Sequence, residues 1–176
     1  MEEKKETAFL KPEDVDRLCI AIEHHMETTE DAVGRTPDLQ WLRDMIVIAV
    51  GTGLRRGELV ALRWADVDLE DGSIHVRHRD GFTTKGNRER RIPVVGDALE
   101  TLRRMDAERE DDFDGPVFTD RDGKPVKPDR ATKRFKAMAR KAGLDERVHL
   151  HSLRHTTGAW LAPETLNAAM EEAFGQ

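Results

Sequence analysis

The most apolar stretch of the chain, TPDLQWLRDMIVIAVGTG (36–53), has the spacing of a helix with one inward face. Thr36 followed by Pro37 is typical of a helix N-terminus, and the glycines at 51 and 53 end the pattern. The longest uninterrupted apolar run, MIVIAV, is too short to span a membrane. This stretch therefore predicts a core helix of a globular domain.

Helical spacing recurs along most of the chain, which predicts a mainly α domain. The segment 12–26 begins with Pro12 and acidic residues, as helix N-termini do. The other predicted helices are GELVALRW from near Arg56, GDALETLRRMDAE (96–108), DRATKRFKAMARKAG (129–143), 148–161 and 163–174.

Two short segments have the composition of strands rather than helices. GSIHVRH (72–78) and ERRIPVV (89–95) flank the turn sequence GFTTKGNR (81–88), which predicts an antiparallel hairpin. GPVFT (115–119) indicates a further short strand or turn. The predicted fold class is α+β, mainly α: a helical bundle with a small antiparallel β-sheet.

Basic residues are concentrated in two windows, although the whole chain has a net charge of −6. Window 77–91 has six Lys or Arg against two acids, and window 121–141 has nine against two. These blocks predict one DNA-facing surface on an acidic body, the alternative being two solvated faces. The residues expected to contact DNA are Arg77, Arg79, Arg88, Arg90, Lys127, Arg130, Lys133 and Arg134.

Composition excludes several other classes of protein. The acidic start MEEKKETAFL has no apolar signal core, and no Cys/His cluster has zinc spacing. Cys19 is the only cysteine, which excludes an internal disulfide framework and fits a reducing compartment. We therefore expect a cytoplasmic protein with no membrane association, no metal and no other cofactor.

Two basic residues lie where a side chain can point at a ligand. Arg55 follows GTGL between two predicted helices, and Lys85 lies at the tip of the predicted hairpin. A lysine there can protonate a leaving oxygen. Taken singly, Arg55 is better explained as a helix cap or surface charge, and Lys85 as good turn chemistry.

The segment HLHSLRHTTG (149–158) is more specific, because it places three ionisable side chains within five residues. On a helix, His151 and Arg154 are three apart and share a face, with His155 beside them. A planar guanidinium binds two phosphate oxygens at once, and histidine exchanges protons near neutral pH. Three such groups are costly to bury together, so the segment predicts a phosphate site.

Three motifs together resemble the catalytic domain of tyrosine recombinases, the phage-integrase family. They are TGLRRGELVALRWADVDLEDGSIHV (52–76), TTKGNRERRIPV (83–94) and HLHSLRHTTG (149–158), in the family's order and approximate spacing. The resemblance covers roughly 36–160. It implies a domain that acts on double-stranded DNA in recombination or integration, with other recombinase protomers as partners.

The resemblance also implies roles for the matching positions. Arg55 and Arg154 resemble the two catalytic arginines, Lys85 the lysine that protonates the leaving 5′ oxygen, and His151 the histidine of the H-x-x-R signature. In the family a tyrosine attacks the phosphodiester to form a 3′-phosphotyrosyl link, and no metal is needed. The positions that resemble supporting residues are Glu58 and His155.

The chain departs from this pattern in its nucleophile, because its 176 residues include no tyrosine. No histidine follows His155 either, although the family continues through a second His or Trp. We therefore expect one catalytic-type domain, 1–176, that is truncated at its C-terminus and lacks the N-terminal DNA-clamping domain. Within it, 1–11 is expected to be flexible and 163–176 to form a terminal helix.

Three substitutes for the tyrosine can be considered. Helical geometry turns Ser152 away from Arg154, and Cys19 lies on an apolar helical stripe typical of core thiols. A tyrosine donated in trans by a neighbouring recombinase is the third, and we retain only this one. The chain is thus expected to hold the scissile phosphate without cleaving DNA alone.

Two other functions remain open from the sequence. One is a non-catalytic DNA-binding or regulatory module derived from an integrase, in which the arginines are phosphate anchors. The other is a helix-turn-helix repressor beginning at LVALRW, which leaves the basic hairpin and the His-Arg segment unexplained.

Overall fold

The computed structural model describes residues 10–31, 33–77, 89–109 and 114–160. These residues form a mainly helical domain with a small antiparallel sheet, so the predicted fold class is confirmed. The helices are α1 (Pro12–Thr28), α2 (Gln40–Thr52), α3 (Arg56–Val60), α4 (Gly96–Ala107), α5 (Pro128–Lys141) and α6 (Ser152–Trp160).

Helix α2 is the centre of the core because apolar side chains cover most of its surface. Leu42, Met45 and Ile48 are completely buried, and the helix packs against α1, α4, α5 and α6. At Gly51 the approach to α4 is close: a Cβ atom there would lie 2.5 Å from the Cβ of Ala98. A glycine is therefore needed for the two helices to pack at this distance.

The predicted start of α2 at Thr36 and Pro37 is wrong, since the helix begins at Gln40. The preceding polar groups are used in a tertiary contact with Arg121. Its backbone N–H donates to the Asp38 carboxylate at 2.7 Å, and its guanidinium donates to the Thr36 carbonyl at 2.6 Å. The Thr36 carbonyl, which would accept the first bond of a helix begun at Pro37, is thus already bonded to Arg121.

The sheet has the strand order β1 (Val67–Asp68), β2 (Ser73–Val76), β3 (Arg90–Pro93), all antiparallel. Strands β2 and β3 are the predicted hairpin arms, and β1 was not predicted. The helix expected to run through GELVALRW ends at Val60, and Trp64–Asp66 forms a separate 3₁₀ turn. The predicted hairpin tip, 81–88, lies outside the described residues.

The ends of the described chain also bear on the sequence predictions. Residues 1–9 and the predicted terminal helix at 163–174 lie outside the described part. Leu10 is buried, and its backbone N–H donates to the Thr156 hydroxyl at 3.2 Å, so Leu10 is attached to the body. GPVFT contributes only isolated bridges, Pro116 with Arg63 and Thr119 with Pro125. No described helix is long and apolar enough to cross a membrane.

Candidate active site

A buried carboxylate, that of Glu58, organises the candidate site. Glu58 lies in the first turn of α3, and its side chain is only 3% exposed. Its Oε2 accepts a 2.8 Å hydrogen bond from the backbone N–H of Arg55, the residue before the helix. The Arg55 guanidinium donates through Nη1 to Oε1 at 3.2 Å. Glu58 therefore caps α3 and fixes Arg55 at the α2–α3 junction.

A second guanidinium reaches the same carboxylate from the sheet. Arg90, at the start of β3, donates through Nη1 to Oε1 of Glu58 at 2.9 Å and through Nη2 to Oε2 at 2.8 Å. This parallel, two-bond arrangement is the strongest pairing available to an arginine and a carboxylate. The contact joins the hairpin to α3.

The third guanidinium, that of Arg154, comes from α6. Its Nη1 donates to the carbonyl oxygen of Gly53 at 2.7 Å, immediately after α2 ends. One turn later, the Thr157 hydroxyl lies 2.8 Å from the carbonyl oxygen of Val50 and 3.2 Å from that of Ala49. Two side chains of α6 thus bind carbonyl groups at the C-terminal end of α2, which positions Arg154.

Hydrogen bonds place the three arginines in one site, since Arg55 and Arg90 both bind Glu58 and Arg154 binds Gly53, two residues before Arg55. Burial, reinforced by the charge of Arg55, lowers the pKa of Arg154, while Glu58 raises it and Arg90 lowers it further. Burial opposes ionisation of Glu58, but hydrogen bonds from Arg90 and Arg55 outweigh it and hold the pKa of this carboxyl below its ordinary value. Two guanidiniums bound to one carboxylate, together with the third guanidinium of Arg154, leave an excess of positive charge, as an anion site requires.

The two histidines lie on the exposed surface beside this site. His151 lies in the turn just before α6, so the predicted helix start at Val148 is wrong, although the Arg154 N–H still donates to the His151 carbonyl at 3.2 Å. The reason is local: the Ser152 hydroxyl accepts the His149 N–H at 3.0 Å, forming a turn before the helix starts. The His151 and His155 rings meet edge to face, with centroids 5.1 Å apart.

The structure thus brings Arg55, Glu58 and Arg154 together, as the sequence motifs suggested. Lys85, predicted as the proton donor, lies outside the described residues. Arg90 was predicted only as a DNA contact, and its place beside Glu58 was missed. A signal was available, because Arg90 pairs with Val76 and shares the strand alternation of Ile92, on the face that carries apolar residues. An arginine on that face needs a carboxylate partner.

The residues predicted to contact DNA have different surroundings. Arg77 donates to the buried Asp66 at 2.7 Å. Arg130 donates to Asp120 at 2.7 Å and lies over the Trp41 ring. On and just before α5, Lys127, Lys133 and Arg134 are exposed, and Arg79 and Arg88 lie outside the described residues. Contact with DNA remains a prediction for all of these residues.

Neither side chain considered in place of the tyrosine is arranged as a nucleophile. Ser152 is 2% exposed, and its hydroxyl accepts a backbone hydrogen bond. Burial raises the pKa of the Cys19 thiol to about 11, so it is protonated at neutral pH. Among the described residues, no group of three or more His, Cys, Asp or Glu side chains could hold a metal ion.

Comparison with known proteins assigns the class. The phage integrase family matches residues 8–174, and the chain belongs to this family. It is 35% identical over 119 residues to the tyrosine recombinase XerC of Xylella fastidiosa strain 9a5c, covering 68% of this chain and 38% of the relative. For XerC of Proteus mirabilis the identity is 35% over 137 residues, covering 76% and 43%. The chain therefore spans about two fifths of the length of these relatives.

Solved structures with low sequence identity share the fold. The Tn1549 transposon integrase in complex with a circular intermediate DNA superposes with a TM-score of 0.73 at 24% identity, covering 100% of this chain and 60% of that one. The lambda integrase catalytic core gives 0.67 at 20% identity, covering 96% and 91%. The architecture is therefore that of an integrase catalytic core.

Proposed function

We propose that this chain is a DNA-binding catalytic domain of a tyrosine recombinase, and that Arg55 and Arg154 hold the scissile phosphodiester. The observation that carries the proposal is the convergence of these two guanidiniums from distant parts of the sequence. Each donates a single side-chain hydrogen bond, through Nη1, to the described part of the protein. Their remaining N–H groups are suited to the non-bridging oxygens of a phosphate.

The strand-cleavage roles follow from the family resemblance. Lys85 is proposed to protonate the leaving oxygen and His151 to exchange a proton at the phosphate. Because the 176 residues include no tyrosine, we infer that this chain binds DNA without forming a covalent link by itself. Cleavage at its pocket then requires a tyrosine from outside these 176 residues.

The first experiment measures the affinity for a labelled DNA duplex by fluorescence anisotropy at several salt concentrations. Affinity should fall steeply with salt, because each phosphate contact releases counterions. Arg154→Ala should weaken binding and reduce the logarithmic salt slope by about 1. Arg103→Ala is the matched control, since Arg103 is half exposed on α4 and pairs only with Glu100 within the described chain.

The outcomes of this experiment are distinct. Affinity that does not depend on salt would refute binding through DNA phosphates. Equal effects of Arg154→Ala and Arg103→Ala would show that the pocket is not the phosphate site.

The second experiment tests catalysis with a nicked suicide substrate that traps covalent adducts. The chain alone should give no adduct. It should be mixed with a full-length XerC-type relative in which the second catalytic arginine is substituted, on that relative's own recombination-site DNA. An adduct on the relative's tyrosine, lost when this chain carries Arg154→Ala, supports a functional pocket. DNA binding without any adduct would instead favour the non-catalytic module.

A further inference from the structure

The three arginines of the site differ in how many of their donors are already used. Both terminal nitrogens of Arg90 are bound to Glu58, at 2.9 and 2.8 Å. Arg55 gives only Nη1 to the same carboxylate, at the longer distance of 3.2 Å, and Arg154 gives only Nη1 to Gly53. Arg90 therefore has the least capacity to bind a phosphate, although it is as exposed as Arg55, at 32% against 33%.

We propose that Arg90 is a positioning residue that keeps the Arg55 guanidinium available for the phosphodiester, an inference that rests on the proposed function. This role differs from the direct DNA contact expected from the sequence. Each oxygen of Glu58 accepts two hydrogen bonds, one from Arg90 and one from Arg55. With Arg90 in place, the carboxylate is saturated and Arg55 needs to supply only one side-chain donor.

Without Arg90, the carboxylate would lose two of its four bonds while remaining 3% exposed. A buried carboxylate in that condition draws in the nearest available guanidinium donors. Arg55 is the nearest, since its Nη1 and its backbone N–H already contact Glu58. A second side-chain hydrogen bond to Glu58 would turn the Arg55 guanidinium toward the carboxylate. The phosphate would then lose a partner that can bind two of its oxygens at once.

The same contact also joins the hairpin to the site. Arg90 pairs with Val76 across the two strands, at the end nearest to segment 78–88. That segment contains Lys85, the proposed proton donor. Because one side chain connects β3 to the residue that holds Arg55, the position of the strand and the position of the catalytic arginine are coupled.

The test is a double-mutant cycle on DNA affinity, measured with the labelled duplex described above. Arg90→Gln should weaken binding about tenfold when Arg55 is present, and should change it little in the Arg55→Ala background. A direct phosphate contact, or a general loss of structure, would weaken binding by the same factor in both backgrounds. Equal factors would overturn the positioning role.

A second cycle guards against misfolding of Arg90→Gln. Arg90→Lys keeps the positive charge but cannot bind both oxygens in parallel, so it should show the same dependence on Arg55 with a smaller effect. Thermal melting establishes which variants are folded, and the cycle is evaluated on those. If the unmodified chain shows no salt-dependent binding, the proposed function itself fails. Equal factors with DNA binding intact would refute only the role of Arg90.

Discussion

The Arg154 guanidinium donates a 2.7 Å hydrogen bond to the carbonyl oxygen of Gly53, the residue that follows α2. Gly53 has a left-handed backbone conformation, with φ of +65°. The carbonyl orientation on which Arg154 depends is thus set by a conformation that residues with a side chain adopt at a cost. The arginine that we propose to be catalytic lies on one helix and is positioned by the end of another.

Gly53→Ala should therefore affect both stability and DNA binding. The left-handed conformation should cost about 1–2 kcal/mol in the free energy of unfolding, measured by urea denaturation. The shifted carbonyl should also weaken DNA affinity through Arg154. Gly143→Ala is the control, because Gly143 has φ of +69° and open space around it, at the end of α5. It should lose similar stability without losing DNA affinity, and an equal loss of affinity would contradict the link.

Gly51→Ala should destabilise the protein by overpacking. Its new Cβ would lie 2.5 Å from the Cβ of Ala98, so α2 and α4 would have to separate, at a cost of about 1–3 kcal/mol. Ala98→Gly alone should cost about 1 kcal/mol because glycine is a poor helix former. The double variant should be more stable than the sum of the two changes implies, as shown by urea denaturation. Strict additivity would mean that the two positions are not in contact.

Glu58 should contribute to the pH dependence of stability. Its folded-state pKa lies below the ordinary value of 4.5, so folding favours the ionised form. The resulting stabilisation is complete above that ordinary value and is lost as the pH falls through the folded-state pKa. Glu58→Gln should lower the free energy of unfolding at pH 7 by about 1–3 kcal/mol. The variant should then lose less stability than the unmodified chain as the pH is lowered.

The measurement for this prediction is the free energy of unfolding in urea between neutral and acid pH. Glu70→Gln serves as the control, since Glu70 is exposed on the turn between β1 and β2. It should retain the acid sensitivity of the unmodified chain. An unchanged pH profile in Glu58→Gln would show that the guanidiniums do not stabilise this carboxylate.

Cys19 should react slowly with thiol reagents in the folded protein. Burial raises the pKa of its thiol from 9.0 to about 11, which lowers the thiolate fraction at pH 8 about a hundredfold. Restricted access should slow the reaction further. The rate of modification by iodoacetamide, compared in buffer and in urea, measures this effect. Similar rates in the two conditions would show that the thiol is accessible and unperturbed.

Helices with a regular apolar face were the most predictable part of the fold. Helix α1 buries Val15, Leu18 and Ile22, which have the spacing of one helical face. The start of α2 was not predictable because Arg121, far along the chain, binds Thr36 and Asp38. Local patterns report local preferences, and a tertiary hydrogen bond from a distant loop overrides them.

In the candidate site, too, residues within local motifs were predictable and tertiary contacts were not. The motifs contained Arg55, Glu58 and Arg154, and the structure brings these three together. The role of Arg90 could not be read from charge alone, because its partner Glu58 is 32 residues away. The turn at His151 depends on a serine hydroxyl that accepts a backbone bond, where the sequence pattern favoured an uninterrupted helix.

The strands on the two sides of segment 78–88 are each joined to a buried acidic residue by a salt bridge. Arg77 follows β2 and binds Asp66, and Arg90 begins β3 and binds Glu58. Both salt bridges are made by residues outside segment 78–88, so neither requires a side chain from that segment. Substitutions between residues 78 and 88 should therefore leave the positions of Arg77 and Arg90 unchanged.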